Sequence, residues 1–347
     1  MRLVLDGITA YEYWMSASNS VLSKPLDVSV GCLTDFDGLP CGELSRAIAR
    51  TDAKPGELHL LVSSQHERRQ SRNVCCHVWA NKNPIPKGSI YQVGTGIYVE
   101  SPELCLVRLA ALLPREELLH CMSNMLGIFA FSTLDRMSLI SRESITNVDK
   151  IRDCVRKLPG MQGTKALWSA CSWVAERSAS PRETSVNLCL ALPTRVGGQA
   201  LPPFEVNAVQ TLDEEASRLT VKKHLVPDVY WRSKKLALEY NSSKHHDTED
   251  ELEADLEKIT AMQKMDITVI PISTRQFNDF DAFDAIVKRV RKTLGVRTKV
   301  SVTAQERRWK FHTELLKFER SERKQPSLIE TARWKYLIPR LYHERDY

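Results

Sequence analysis

Two carboxylates, Asp228 and Glu239, are spaced so that a small sheet would bring them together to hold a metal ion. Two short β-type runs, Val229 to Trp231 and Leu236 to Tyr240, flank a polar stretch from Arg232 to Lys235, a pattern that predicts a β-hairpin. Asp228 begins the first strand and Glu239 lies near the end of the second. The hairpin would therefore set the two side chains beside each other.

In the second strand, Glu239 is the one acid among apolar neighbours. Because successive side chains point to opposite faces of a sheet, we expect Leu236, Leu238 and Tyr240 on the core face and Glu239 on the other. A buried carboxylate without a partner is costly, whereas two carboxylates that converge attract a hard cation, and Mg²⁺ typically takes one or two of them. The pair therefore predicts a site for Mg²⁺ or Mn²⁺.

The residues around this pair resemble the core of the PD-(D/E)xK nuclease superfamily, in particular its very-short-patch-repair-endonuclease-like branch. An uncharacterised bacterial domain of that branch carries a Pro-Asp strand, a strand end of Glu-Tyr-Asp-Gly and then a histidine. Pro227-Asp228 and Glu239-Tyr240 match it, and His245 and His246 match the histidine. Asn241-Ser242 stands where Asp-Gly is usual, and no lysine follows two residues after Glu239.

The resemblance implies further site residues. In related domains a glutamate on the first core helix reaches the metal, which implies that role for Glu183. The capping box from Ser180 to Glu183 also explains this glutamate by itself. His245 or His246 would give a proton to the leaving oxygen or touch the phosphate, and the alternative is two solvated loop histidines.

Lys258 is the favoured replacement for the absent lysine, since some nucleases of the superfamily bring theirs from a helix. A capping box from Thr248 to Glu251 begins a helix, and its predicted core stripe consists of Leu252, Leu256 and Ile259. Asp255 lies one turn before Lys258 and could orient it, or the two could form an ordinary surface ion pair. Lys244 is the second candidate, but it lies in a polar loop that positions a catalytic group less well than a helix does.

The sequence divides into four predicted regions, and the third of them carries the candidate site residues. Residues 1–100 predict an N-terminal α+β region of unclear role, and residues 101–177 a helical connector. Residues 178–296 carry the resemblance and predict an endonuclease-like domain, and residues 297–347 predict a basic helical tail. The fold class is α/β, α+β overall, with a restriction-endonuclease-like mixed sheet flanked by helices. The whole layout also resembles type IV abortive-infection antitoxin-like proteins.

The charge distribution favours a nucleic-acid partner. The net charge of +6 hides an asymmetry, because the chain from Ala285 onward has 17 Lys and Arg against 7 Asp and Glu. A basic segment of this kind suits a phosphate backbone, which under the nuclease hypothesis is that of DNA. The alternative is a solvated basic helix.

Cysteine usage and hydropathy indicate the compartment. No apolar run approaches the roughly 18 residues that span a bilayer, so no membrane partner is expected. The nine cysteines form no CxxC pair, so neither a disulfide framework nor a zinc site is expected, and a reduced, cytoplasmic chain is indicated.

The sequence therefore predicts Mg²⁺-dependent hydrolysis of a DNA phosphodiester, in genome defence or DNA repair. Asp228 and Glu239 would hold the metal, Glu183 would complete its shell, and Lys258, His245 and His246 would assist. The alternative is a non-catalytic nucleic-acid-binding or antitoxin-like regulator that kept the fold and lost the chemistry, which Asn241 and the absent motif lysine favour.

Overall fold

The computed structural model describes residues 2–16, 25–26, 33–34, 58–68, 74–79, 84–94, 97–132, 138–241, 249–297 and 301–324. The chain divides into two compact units. The first contains the chain up to Ser172 and the part from Lys317 onward, and the second runs from Trp173 to Leu316. Each unit has its own sheet and its own buried residues.

The first unit is built around a six-stranded mixed sheet. Its described elements are β1 (Leu3–Leu5), α1 (Gly7–Ser16), β2 (Pro25–Leu26), β3 (Leu58–Val62), β4 (Val74–Val78), β5 (Ile90–Gly94), β6 (Ile97–Glu100), α2 (Pro102–Ala110), α3 (Arg115–Met125), β7 (Phe129–Phe131), β8 (Leu139–Ser141), α4 (Val148–Arg156) and α5 (Thr164–Ala170). The strand order is β2-β5-β6-β1-β3-β4, with β1 parallel to β6 and β3 parallel to β4.

Helix α2 belongs to the core of the first unit. Ser101 caps the helix by accepting a hydrogen bond from the backbone of Leu104, and Pro102 occupies its first turn. From Leu104 to Ala110 every residue except Arg108 is buried, and the helix packs against α1, α3, α4 and α5. A helix that is apolar on nearly all sides must be covered by protein. The region predicted as a connector therefore folds as part of the N-terminal unit.

The second unit contains a four-stranded mixed sheet flanked by helices, which confirms the predicted α+β class. Its described elements are α6 (Pro181–Ala191), β9 (Glu205–Val206), β10 (Gln210–Thr211), β11 (His224–Leu225), β12 (Val229–Trp231), β13 (Leu236–Asn241), α7 (Glu249–Lys264), β14 (Thr268–Ser273), α8 (Thr274–Asn278), α9 (Phe280–Leu294) and the start of α10 (Val302–Lys324). The order is β14-β13-β12-β9, antiparallel except for the parallel pair of β13 with β14.

The hairpin of β12 and β13 forms as predicted, with Val229 opposite Leu238 and Trp231 opposite Leu236. A short 3₁₀ turn joins the strands and ends at Lys235, which adopts a left-handed conformation (φ 44°). Ala237 is as fully buried as its neighbours Leu236 and Leu238. The strand therefore has a core on both faces, whereas its sequence predicted a core on one.

The stretch from Leu219 to Leu225 forms only a short strand at its end. Only β11 (His224–Leu225) is extended and paired, and its partner is β10. The preceding Val221 is 90% exposed, so this stretch offers no apolar face for a sheet to cover.

The first part of α10 docks on the second unit through Phe311 and Leu315, which are buried. The aromatic residues Trp334 and Tyr336 lie outside the described residues. None of the helices in the described ranges combines the length and apolar character needed to cross a bilayer.

Candidate active site

The hairpin brings Asp228 to the backbone of the strand that carries Glu239. Asp228 directly precedes β12, and its Oδ2 accepts a hydrogen bond of 2.6 Å from the backbone N–H of Tyr240. This bond fixes the Asp228 carboxylate beside the end of β13. Asp228 is partly buried and Glu239 is buried.

Glu239 receives its hydrogen bond from helix α7. Lys258 Nζ lies 2.5 Å from Glu239 Oε2, and the two side chains are only 14% and 7% exposed. The other carboxylate oxygen, Glu239 Oε1, is buried and finds no hydrogen-bond partner among the residues that the structure describes. The structure thus brings Asp228, Glu239 and Lys258 together at one place.

Lys258 reaches Glu239 because α7 turns a different face to the sheet from the one its sequence predicted. Leu256 is 58% exposed, so the predicted core stripe is wrong at that residue, whereas Ile259 is partly buried. The buried residues are Ala261 and Met262, which belong to one apolar cluster with Ala237 of β13. Lys258 precedes them by three and four residues and therefore shares their face.

The cap predicted at Ser180 and Glu183 forms, and the role of Glu183 at a metal stays a prediction. Ser180 Oγ caps helix α6 by accepting a hydrogen bond from the Glu183 N–H, while Glu183 Oε2 accepts one of 2.8 Å from the N–H of Ala179. The same oxygen accepts a bond of 2.9 Å from Asn207 Nδ2. The carboxylate is close enough to Asp228 for their charges to interact. It therefore lies at the edge of the site while it caps its helix.

Asn207 is the residue of this site that the sequence did not predict. Its backbone N–H donates to the carbonyl of Asp228 (3.2 Å), and its side-chain amide donates to both Glu183 and the carbonyl of Arg177. Its φ of 47° is left-handed, a conformation that asparagine adopts more readily than most residues. An asparagine directly after a short strand was the only signal in the sequence, and that signal is common in turns.

The electrostatics of the site follow from charges crowded away from water. Burial and the nearby Asp228 carboxylate raise the pKa of Glu239 to about 8, against the lowering effect of Lys258. Burial and Asp228 likewise raise the pKa of Glu183 to about 7. Burial lowers the pKa of Lys258, but Glu239 and Asp228 outweigh it and hold that pKa above its usual range. Lys258 therefore carries a full positive charge between two carboxylates.

The donor set fits a hard cation. The Asp228 carboxylate raises the pKa values of Glu183 and Glu239, so a second positive charge would relieve them, and the buried Glu239 Oε1 offers an acceptor for it. The three carboxylates do not form a tight cluster, since the described residues contain one set of three ligand groups whose atoms all lie within 4.8 Å of one another: His59, Cys75 and His77. The arrangement suits Mg²⁺, which takes one or two carboxylates and keeps several waters.

His245, His246 and Lys244 lie outside the described residues, so their predicted roles stay predictions.

Comparisons of the chain with protein-family models, with curated proteins and with solved structures find no match. The function must therefore be argued from the site itself.

Proposed function

We propose that the second unit is a metal-dependent hydrolase of nucleic-acid phosphodiesters, most simply a DNA endonuclease. The observation that carries the proposal is the buried Lys258–Glu239 pair beside Asp228, in which Glu239 Oε1 has no described partner. A purely structural ion pair needs no second carboxylate at its side, and burying one more acid raises the cost of the arrangement. Clustered acids with raised pKa values mark candidate functional sites.

Asp228 and Glu239 would hold Mg²⁺ or Mn²⁺. Glu183, at the edge of the site, would complete the coordination shell of the metal directly or through a water molecule. The cation, when bound, supplies the charge that lowers the pKa of an attacking water and screens the phosphate. The N–H of Tyr240 orients Asp228, and the amide of Asn207 orients Glu183. Lys258 contributes a fixed positive charge that favours a phosphate oxygen in the site. His245 or His246 would supply the proton for the leaving oxygen.

One contact also favours the alternative, a nucleic-acid-binding or antitoxin-like regulator without catalysis. Lys258 occupies one of the two oxygens of Glu239, so the ammonium already neutralises part of the charge that would attract a metal. Asn241 adds no carboxylate at the end of β13. A regulator would bind nucleic acid without cleaving it.

Cleavage assays with matched carboxylate variants separate the two functions. Wild-type protein is incubated with duplex and single-stranded DNA and RNA in Mg²⁺, Mn²⁺ or a chelator. Glu239→Gln should lower metal-dependent cleavage by more than about a hundredfold, since even residues that only support a metal ligand cost 10–100-fold. Glu205→Gln is the control, because Glu205 pairs with Arg232 at the far edge strand of the same sheet. Binding without cleavage in the folded wild type would support the regulator.

A further inference from the structure

Three potential metal ligands converge in the first unit on strands β3 and β4. The strands are parallel, with His59 opposite Cys75, and His77 follows Cys75 by two residues and shares its face. His59 Nδ1 lies 2.8 Å from His77 Nε2, and Cys75 Sγ lies 3.6 Å from the same nitrogen. All three residues are buried, and their ligand atoms lie within 4.8 Å of one another.

These distances are close to those of a tetrahedral zinc site. With Zn–N bonds of about 2.05 Å and a Zn–S bond of about 2.3 Å, tetrahedral angles place nitrogen and sulfur about 3.6 Å apart and two nitrogens about 3.3 Å apart. The sulfur–nitrogen distance agrees with this. The two imidazoles would need to separate by about half an ångström and also to turn, because the 2.8 Å between their nitrogens and the 5.1 Å between their ring centroids place the two nitrogens nearly in line. We propose that His59, Cys75 and His77 bind a zinc ion through Nδ1, Sγ and Nε2.

The surroundings of His77 fit the role of a zinc ligand. Its Nδ1 lies 4.0 Å from Asp6 Oδ2, so the ring turns Nδ1 toward a carboxylate and Nε2 toward the other two ligands. Asp6 is itself held by two hydrogen bonds from Arg108, of 2.9 and 2.8 Å. Zinc-bound histidines commonly direct their second nitrogen to a carboxylate in this way, which fixes the tautomer.

Three protein ligands leave a fourth position for water or an outside group, as in catalytic rather than structural zinc sites. A cavity of about 460 Å³ reaches the cluster, and its lining includes His77, Cys76, Arg68, Arg108 and Gln162. The cavity offers room for an outside ligand beside His77 and two arginines, and His59 and Cys75 are not part of its lining. A site assembled from His59 and the Cys75-x-His77 pair has no CxxC motif, which explains why the cysteine spacing predicted none.

The competing explanation is a metal-free hydrogen bond between two neutral imidazoles, which face each other nearly edge to edge, with ring centroids 5.1 Å apart and an interplanar angle of 15°. Full-length protein stripped with a chelator is therefore titrated with Co²⁺, which substitutes for zinc and shows a sulfur-to-cobalt charge-transfer band. Cys75→Ser should remove that band and weaken Zn²⁺ binding by at least about a hundredfold. The control is Cys76→Ser, the buried neighbouring thiol on the opposite face of β4, which should keep the band. Glu239→Gln should also keep it, because that carboxylate belongs to the second unit.

X-ray absorption on the zinc-loaded wild type needs no variant and decides the outcome even if Cys75→Ser misfolds. We expect one equivalent of zinc with one sulfur and two imidazole nitrogens around it. The proposal is overturned if the stripped protein takes up no stoichiometric zinc, if no sulfur lies in the zinc shell, or if the Cys75 and Cys76 variants lose binding equally.

Discussion

The ion pair of Lys258 with Glu239 differs from exposed pairs in the same unit because both partners are buried. Removing one partner of a buried pair leaves a charge without compensation, which typically costs about 3–5 kcal/mol. Lys258→Met keeps the length of the side chain but removes its charge. At pH 9 wild-type Glu239 is ionised, whereas in Lys258→Met its pKa rises further and the carboxyl takes up a proton. We therefore expect the variant to lose more free energy of unfolding at pH 9 than at pH 6, by about 1.4 kcal/mol, the cost of one pH unit above pH 8.

The loss in free energy of unfolding caused by Lys258→Met should depend on pH. Below pH 6 Glu239 binds a proton, because its pKa is already raised to about 8 with Lys258 present. The buried charge is then absent and the loss should shrink. Denaturant titrations at pH 6 and pH 9 measure both values. Lys264→Met is the control, since its pair with Glu215 is 49% and 68% exposed and should cost less than about 1 kcal/mol at either pH. Equal losses in the two variants would contradict this account.

Metal affinity at the carboxylate site should rise with pH. A carboxyl with a pKa of about 8 is mostly protonated at pH 6.5, so a metal ion must displace the proton in order to bind Glu239. The affinity for Mn²⁺ should therefore increase by about tenfold per pH unit and level off above pH 8. Calorimetric titrations between pH 6 and 9, in buffers of different ionisation enthalpy, measure the affinity and count the protons released. A pH-independent affinity would place the metal away from Glu239.

At the scale of elements, helix α7 shows where sequence periodicity fails. The pattern of leucine and isoleucine predicted a stripe through Leu256, but the helix buries Ala261 and Met262 and points Lys258 at the sheet. Periodicity counts lysine as polar, whereas a lysine can bury its methylene chain and deliver its ammonium to an internal carboxylate. The alternation of β13 did single out Glu239, because an acid in an apolar strand has few physical explanations.

The exposed and buried faces of α7 can be tested by truncating one residue on each. Met262→Ala removes a fully buried side chain from the cluster with Ala237 and should lower the free energy of unfolding by about 2–5 kcal/mol. Leu256→Ala, the matched control, should change it by less than about 0.5 kcal/mol, because that side chain is mostly in water. The measurement is denaturant unfolding of both variants and wild type. A reversed order would restore the sequence-predicted stripe and turn Lys258 away from the sheet.

At the scale of the whole molecule, the sequence revealed elements better than the sites that combine them. The hairpin, the caps at Ser101 and Ser180 and the α+β class follow from local patterns. His59 and Cys75 meet because two consecutive strands, β3 and β4, pair in parallel in one particular register. Asn207 reaches Glu183 through a left-handed turn. Neither pairing leaves a periodic signal in the sequence, so only the folded chain reveals them.

The basic charge of the C-terminal part also depends on which residues are folded. Residues 285–324 contain 13 Lys and Arg against 4 Asp and Glu, yet Arg291 and Arg308 are buried and are poor candidates for phosphate contacts. Deleting everything after Val296 would remove Phe311 and Leu315 from the core and would test folding as well as binding. Point substitutions at exposed residues of α10 are therefore the better probe.

Arg307 and Lys310 are exposed on α10 and flank Trp309, which is 56% exposed. If both contact phosphates of duplex DNA, the double variant Arg307→Gln with Lys310→Gln should reduce the log–log salt slope of binding by about 1.8, at roughly 0.9 per contact. Trp309→Ala should weaken single-strand binding by about 1–3 kcal/mol, the usual value of a base stacked on an aromatic ring. Lys222→Gln with Lys223→Gln is the control, because it removes the same charge from exposed residues outside α10. Binding isotherms between 50 and 300 mM salt give each slope. The same reduction in both double variants would indicate a diffuse effect of net charge, and an unchanged slope in the α10 variant would leave that helix with a packing role alone.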